Sequence, residues 1–146
     1  MKKDSKTGTI DDAILIAASA HKDQVDRAGK PYILHPLRLM MKMQCEESMI
    51  AAVLHDVVED SPDWDLDRLR AAGFSENVVT AVGCLTKIEG EDYGSYVQRA
   101  AQHPIARMVK IADLEDNMNI RRIDSISEED SRRIAKYHKY WRMLTS

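Results

Sequence analysis

Apolar residues recur at helical spacing in one segment after another, and no stretch alternates apolar with polar residues convincingly over the length of a strand. Ile10, Ile14, Ala17 and His21 set the pattern and predict a helix over 10–22. A turn follows over 26–31, with Gly29 and Pro31. Pro36 suits the first turn of a helix reaching 44, where its missing N–H has no partner to lose. A strong helix is predicted over 47–60, ended by Ser61-Pro62, and a short one over 66–72, closed by Gly73. Ser75 caps a helix to 86, Gly90 and Gly94 bracket a loop before a helix over 95–102, and His103-Pro104 opens one to 120. Ser127 with Asp130 resembles a capping box for a last helix over 128–144. The expectation is an all-α fold, a compact multi-helix bundle, in a single domain over 1–146 with a loose polar tail at 1–8.

Other properties exclude whole classes. The longest apolar run, Met49 to Leu54, is six residues, against about 20 for a membrane span. Near the N-terminus, Lys2, Lys3 and Ala13 to Ala20 faintly resemble a signal peptide. Asp11 and Asp12 abut that stretch, so an amphipathic helix is expected instead. A net charge of −3 argues against a general nucleic-acid binder, which needs a basic surface, but leaves room for a local basic pocket. Cys45 and Cys84 have no metal-ligand spacing and read as free thiols of a cytoplasmic protein.

The stretch 54–60, Leu-His-Asp-Val-Val-Glu-Asp, carries the chemistry. On a helical wheel at about 100° per residue with His55 at zero, Glu59 falls near ~40°, Asp56 near ~100° and Asp60 near ~140°. Ile50, Val53, Leu54, Val57 and Val58 fill the opposite arc. One imidazole and three carboxylates thus share an arc with no cation, and a divalent metal would offset their repulsion. The bland alternative is a plain acidic face. His35, pinned by Pro36, suits a pre-aimed ligand. Asp113, inside the apolar stretch 109–114, is costly to bury unless paired or bound to metal. Lys110, Asp113 and Asn117 fall within about 60° of one another on a helix, so a Lys110–Asp113 ion pair is the alternative there.

Several motifs occur in order: His21-Lys22-Asp23-Gln24, the run 29–36 ending Leu34-His35-Pro36, the run 51–60 containing His55-Asp56 and Glu59-Asp60, Leu85-Thr86-Lys87, and 109–113 followed by Asn117-Met118. Together they resemble the HD-domain phosphohydrolases, specifically the hydrolase domain of Rel/Spo-type enzymes and the stand-alone small alarmone hydrolases. The resemblance covers residues 10–120 and extends to Arg133-Ile134-Ala135. It implies an HD-type helical bundle, one Mn²⁺ ion, and removal of the 3′-pyrophosphate from an alarmone of the (p)ppGpp type, with (p)ppApp as an alternative. By matching position it implies His35, His55, Asp56 and Asp113 as metal ligands and Glu59 and Asp60 as the acid–base pair. Arg27, Lys30, Lys87, Lys110 and Asn117 become candidate contacts to the phosphorylated nucleotide.

Two departures bear on the base. Asp26 stands where the long enzymes carry a cation that contributes to the nucleobase site, and Asn119-Ile120 replaces their Arg-Thr. A weakened or shifted guanine preference is therefore expected. Two other readings stay open: another HD nucleotide phosphohydrolase or phosphodiesterase, and a nucleotide-binding module without turnover. Glu59-Asp60 and the full ligand set favour the first reading. Met40, Met41 and Met43 read as core filler and Trp64 as a loop anchor. His103 and His138 read as surface or helix-end residues, and Tyr137, Lys139, Tyr140 and Trp141 as lining either a base pocket or a dimer face.

Overall fold

The structure is a computed structural model describing residues 7–146. Of the tail expected over 1–8, residues 1–6 lie outside the described residues. Gly8 is held at φ +67° so close to Gly73 that a Cβ on it would collide with the Gly73 carbonyl.

The chain is helical throughout, in the order α1 (Ile10–Ala20), α2 (Leu34–Met41), α3 (Glu46–Leu54), α4 (Val57–Asp60), α5 (Leu66–Ala71), α6 (Glu76–Cys84), α7 (Tyr93–Ala101), α8 (Pro104–Asn117), a 3-10 turn (Ile120–Arg122) and α9 (Glu128–Thr145). An isolated bridge between Val25 and Pro31 is the one β feature among the described residues. Local chemistry sets the helix starts. Thr9 and Ser127 form capping boxes, and Asp65, Ser75, Asp92 and His103 accept from first-turn N–H groups. Gly94 belongs to α7 and not to the preceding loop; its missing Cβ leaves room for the Tyr140 hydroxyl. The helix expected to reach 120 stops at Asn117 and passes into the 3-10 turn.

α3 lies at the centre and, beyond its acidic first turn of Glu46 and Glu47, is apolar on every side, as a helix enclosed by others must be. Ile50, Val53 and Leu54 pack with α1, α5 and α6, while Ala51 and Ala52 face Leu39, Leu85 and Val109. A third cluster joins Val97, Leu114 and Leu144, with Tyr137 and Trp141 partly buried against it. Met43 enters the core, but Met41 is exposed and is not filler.

The continuous helix predicted over 47–60 breaks at His55 and Asp56. His55 Nδ1 donates to the Ala52 carbonyl at 2.6 Å, taking the acceptor that the Asp56 N–H would use in an unbroken helix. Asp56 then adopts φ −105°, ψ 0°, and α4 restarts in a new direction. The wheel angles beyond His55 therefore do not hold. Among the described residues, no helix is long and apolar enough to cross a membrane.

Candidate metal centre and its cavities

Side chains from α2, the α3–α4 break and α8 converge on one point. Ligand atoms of His35, His55 and Asp56 lie within 4.8 Å of one another. Asp113 joins them from α8, with Oδ1 3.0 Å from His35 Nε2 and 3.8 Å from His55 Nε2. The break in the helix is what turns Asp56 inward, placing its Oδ2 3.0 Å from His55 Nε2. Each imidazole is aimed by its other nitrogen. His55 Nδ1 is bound to Ala52 O, and His35 Nδ1 donates to Asp116 Oδ2 at 2.6 Å.

Asp116 and Tyr32 escaped the sequence reading as site residues. Asp116 is buried and receives Arg38 Nε at 2.8 Å and Nη2 at 2.9 Å, so an Arg38–Asp116–His35 chain locks the imidazole. Its signal was its position three residues after Asp113 on α8, which puts both on neighbouring faces. The Tyr32 hydroxyl donates to Asp56 Oδ2.

Lys110 and Asp113 do form the buried ion pair, Nζ to Oδ2 at 2.9 Å, with the ammonium also 4.6 Å from the Tyr96 ring centre. Burial opposes both charges. It is outweighed at Asp113 by Lys110 and the two histidines, which hold the carboxyl well below its usual range. It is outweighed at Lys110 by Asp113 and the tyrosines, so the ammonium stays charged. Asp56 is likewise held down, to about 2, because His55 and Tyr32 overcome its burial.

A cavity of about 230 Å³ opens beside this point, lined by Asp56, Glu59, Lys87, Lys110, Asp113 and Asn117, with tyrosines around them. Glu59 accepts from the Lys87 N–H at 2.5 Å, and partial burial raises its carboxyl above the usual range against that hydrogen bond. Asn117 Nδ2 donates to Asp113 Oδ1 at 3.1 Å. Asp60 points elsewhere: its Oδ2 accepts from Gln24 Nε2 at 3.2 Å and lies 3.7 Å from His21 Nδ1. Arg27 and Lys30 do not reach this cavity and line separate, adjoining ones.

Asp26 lines the adjoining cavity of about 250 Å³ that also touches His35. Its Oδ1 accepts from the Ala28 and Lys30 N–H groups at 2.9 and 3.0 Å, and its Oδ2 takes Arg122 Nη1 at 3.2 Å. Oδ1 shapes the 26–31 turn while Oδ2 pairs with Arg122, so the Asp26 charge is offset by a guanidinium.

The donor set fits a divalent metal. His55 Nε2 is buried and faces the carboxylates of Asp56 and Asp113 at 3.0 and 3.8 Å without a well-aligned hydrogen bond to either, an arrangement that a shared cation would satisfy. Two imidazoles and two carboxylates are also ordinary ligands of divalent metal ions. The metal would have to displace a proton. Burial disfavours the charged form of His35, but its bonds to Asp113 and Asp116 win and raise it to about 9. His55 is raised as well, with Asp56 and Asp113 overcoming its burial. The protonated His35 therefore stabilises the metal-free fold fully below its ordinary value of about 6.5. That contribution is lost as pH rises through about 9. Mn²⁺ added at about pH 7.5 should release at least one proton per ion in a pH-stat titration. Proton-neutral binding would rule out His35 as a ligand. Asp116→Asn should weaken metal binding by about 10–100-fold, read by titration, because it frees the His35 ring.

No family model matches the chain. It is 31% identical over 138 residues to the bifunctional (p)ppGpp synthase/hydrolase SpoT of Escherichia coli, a match covering 85% of this chain and 19% of that protein. It is 31% identical over 139 residues to the guanosine-3′,5′-bis(diphosphate) 3′-pyrophosphohydrolase of Aquifex aeolicus, covering 87% and 19%. A probable enzyme of the same name from Synechocystis is 34% identical over 143 residues, covering 87% and 18%. The chain thus spans about one fifth of the length of these curated relatives. A solved structure described as a metazoan ortholog of SpoT that hydrolyzes ppGpp superposes with a TM-score of 0.75 at 21% identity, covering 99% of this chain and 87% of that one. The helical architecture is shared with that protein.

Proposed function

We propose that this chain, a relative of the (p)ppGpp pyrophosphohydrolases with the HD-type helical fold, is a metal-dependent hydrolase that removes the 3′-pyrophosphate from an alarmone nucleotide in the cytoplasm. The observation that carries this reading is the convergence of His35, His55, Asp56 and Asp113 beside a cavity that also holds Glu59 and Lys87. A structural acidic cluster would have no need to aim two imidazole nitrogens at the same pair of carboxylates.

The four residues would hold one divalent ion, Mn²⁺ by analogy with the family. Such an ion, when bound, lowers the pKa of a coordinated water and offsets phosphate charge. Glu59 sits at the cavity wall with a carboxyl raised by burial, which favours its holding or passing a proton. Asp60, the other member of the acid–base pair by family resemblance, is tied to Gln24 outside this cavity. Lys87 faces the cavity as a phosphate contact, and Asn117 orients Asp113. Lys110 keeps Asp113 ionised and lends the pocket positive charge.

The test is pyrophosphate release from guanosine and adenosine 3′,5′-bis(diphosphates), ordinary triphosphates and cyclic dinucleotides, each with and without Mn²⁺. Mn²⁺-dependent release from a bis(diphosphate) alone is the expected result. Cleavage of triphosphates or cyclic dinucleotides instead would move the chain to another HD hydrolase class, and no turnover with metal bound would make it a binding module.

A further inference from the structure

The His21-Lys22-Asp23-Gln24 run supplies no metal ligand, yet His21 is only 2% exposed. Its imidazole makes one side-chain hydrogen bond, from Nδ1 to Gln24 Oε1 at 2.9 Å, and its buried Nε2 has no partner. A side chain present only to fill the core would be apolar, because a buried polar atom without a partner costs stability. The imidazole therefore serves Gln24.

Gln24 is tied down on every side. Its N–H donates to the His21 carbonyl at 3.1 Å, and its own carbonyl accepts from the Tyr32 N–H at 2.8 Å. Asp23, just before it, is held at φ +67°, a conformation that L side chains rarely adopt. The Tyr32 ring packs on the imidazole, with ring centres 4.9 Å apart. The Gln24 amide nitrogen then donates to Asp60 Oδ2 at 3.2 Å. One end fixes every direction in this chain. A carboxylate oxygen accepts, so the amide presents Nε2 to Asp60 and Oε1 to His21, and Nδ1 carries an imidazole proton. Asp60 Oδ1 has no hydrogen-bond partner among the described residues, and the side chain is 29% exposed.

We propose that His21 and Gln24 are positioning residues for Asp60: they bind Oδ2, stop the carboxylate from rotating, and leave Oδ1 as the oxygen that exchanges a proton. The acid–base role of Asp60 itself rests on the pyrophosphohydrolase reading. The end of α4 shows why such support is needed. α4 is a single turn, Val57–Asp60, and the chain runs extended from Ser61, so the local backbone holds the Asp60 side chain weakly. A free carboxylate samples several rotamers, and a displacement of about 1 Å in a reacting group can cost about 10²-fold in rate. Neither His21 nor Gln24 is hydrogen-bonded to His35, His55, Asp56 or Asp113, so both act through Asp60.

The test uses the Mn²⁺-loaded protein and guanosine 3′,5′-bis(diphosphate), with metal content measured beside the rate. His21→Leu and Gln24→Ala should each lower kcat about 10–100-fold, with KM within about threefold of the parent. His21→Asn should recover kcat to within about threefold, because its amide nitrogen takes the place of the imidazole Nδ1–H. Adding Gln24→Ala to Asp60→Asn should cost nothing further, since the two residues act as a unit. The Gln24 side-chain amide gives a second readout, independent of turnover. Its ¹⁵N–¹H signals should move in Asp60→Asn and in His21→Leu, and return toward the parent positions in His21→Asn. Where His21→Leu does not fold, the Gln24 variants decide, since the backbone ties of Gln24 do not involve its side chain. A rise in KM alone would make Gln24, which lines the adjoining cavity, a nucleotide contact and overturn the assignment. So would additive losses in the double variant, amide signals unmoved by Asp60→Asn, or His21→Asn as impaired as His21→Leu. Absence of turnover in the parent protein counts against the function reading alone, since the amide signals still report whether His21 and Gln24 hold Asp60.

Discussion

Asp113→Ala is expected to abolish divalent-metal binding and to destabilise the fold by about 3–5 kcal/mol. Two separate losses meet at this residue. Its Oδ1 lies 3.0 Å from His35 Nε2 and 3.8 Å from His55 Nε2, and among the described residues it is the sole carboxylate paired with Lys110. Lys110 is only 4% exposed, so removing its partner leaves an ammonium charge buried without compensation. A loss of that size is a large part of the roughly 5–15 kcal/mol that holds a typical domain folded. Denaturant unfolding of the metal-free protein measures it. The double variant Asp113→Ala with Lys110→Met separates the two roles: stability should recover in large part, and metal binding should not. Metal binding that persists in either variant would remove Asp113 from the ligand set.

The second large effect concerns Glu59. Glu59→Gln should leave the metal bound and lower turnover by about 10²–10⁴-fold, the usual worth of positioned acid–base help. The amide keeps the shape and the hydrogen bond from the Lys87 N–H but cannot carry the proton. Because burial raises the Glu59 carboxyl, its titration should also set the acid limb of the pH–rate profile of the parent protein. That limb should vanish in the variant. Asp60→Asn should act in the same direction, with metal retained, since Asp60 contacts Gln24 and not the ligand cluster. Metal content measured beside the rate decides the matter: if the metal leaves with either carboxylate, the division into ligands and acid–base pair is wrong.

Much of the fold was legible locally. Helix starts were readable because a cap and its first turn lie within four residues, as at Ser75 and at Ser127 with Asp130. The position of Pro36 in the first turn of α2 was readable for the same reason. The His55-Asp56 pair and the Lys110–Asp113 pair could be named because their members are neighbours along the chain. The break at His55 could not be. A wheel assumes an unbroken helix, and whether a side chain will take the Ala52 carbonyl depends on the packing that pins its ring.

Partners distant in sequence account for the rest. Asp116 orients His35 across 81 residues, and Arg122 reaches Asp26 across 96. From the sequence alone Asp26 was an uncompensated charge, because nothing local shows that Arg122 pairs with its Oδ2. Residue type and spacing thus determined the helices, their caps and the candidate ligands, all of which depend on interactions within a turn or two. Tertiary packing decided which way each ligand points, what holds it, and how the cavities connect. Those features depend on which helices meet, and hydrophobic burial, which drives that meeting, carries no directional label in the sequence.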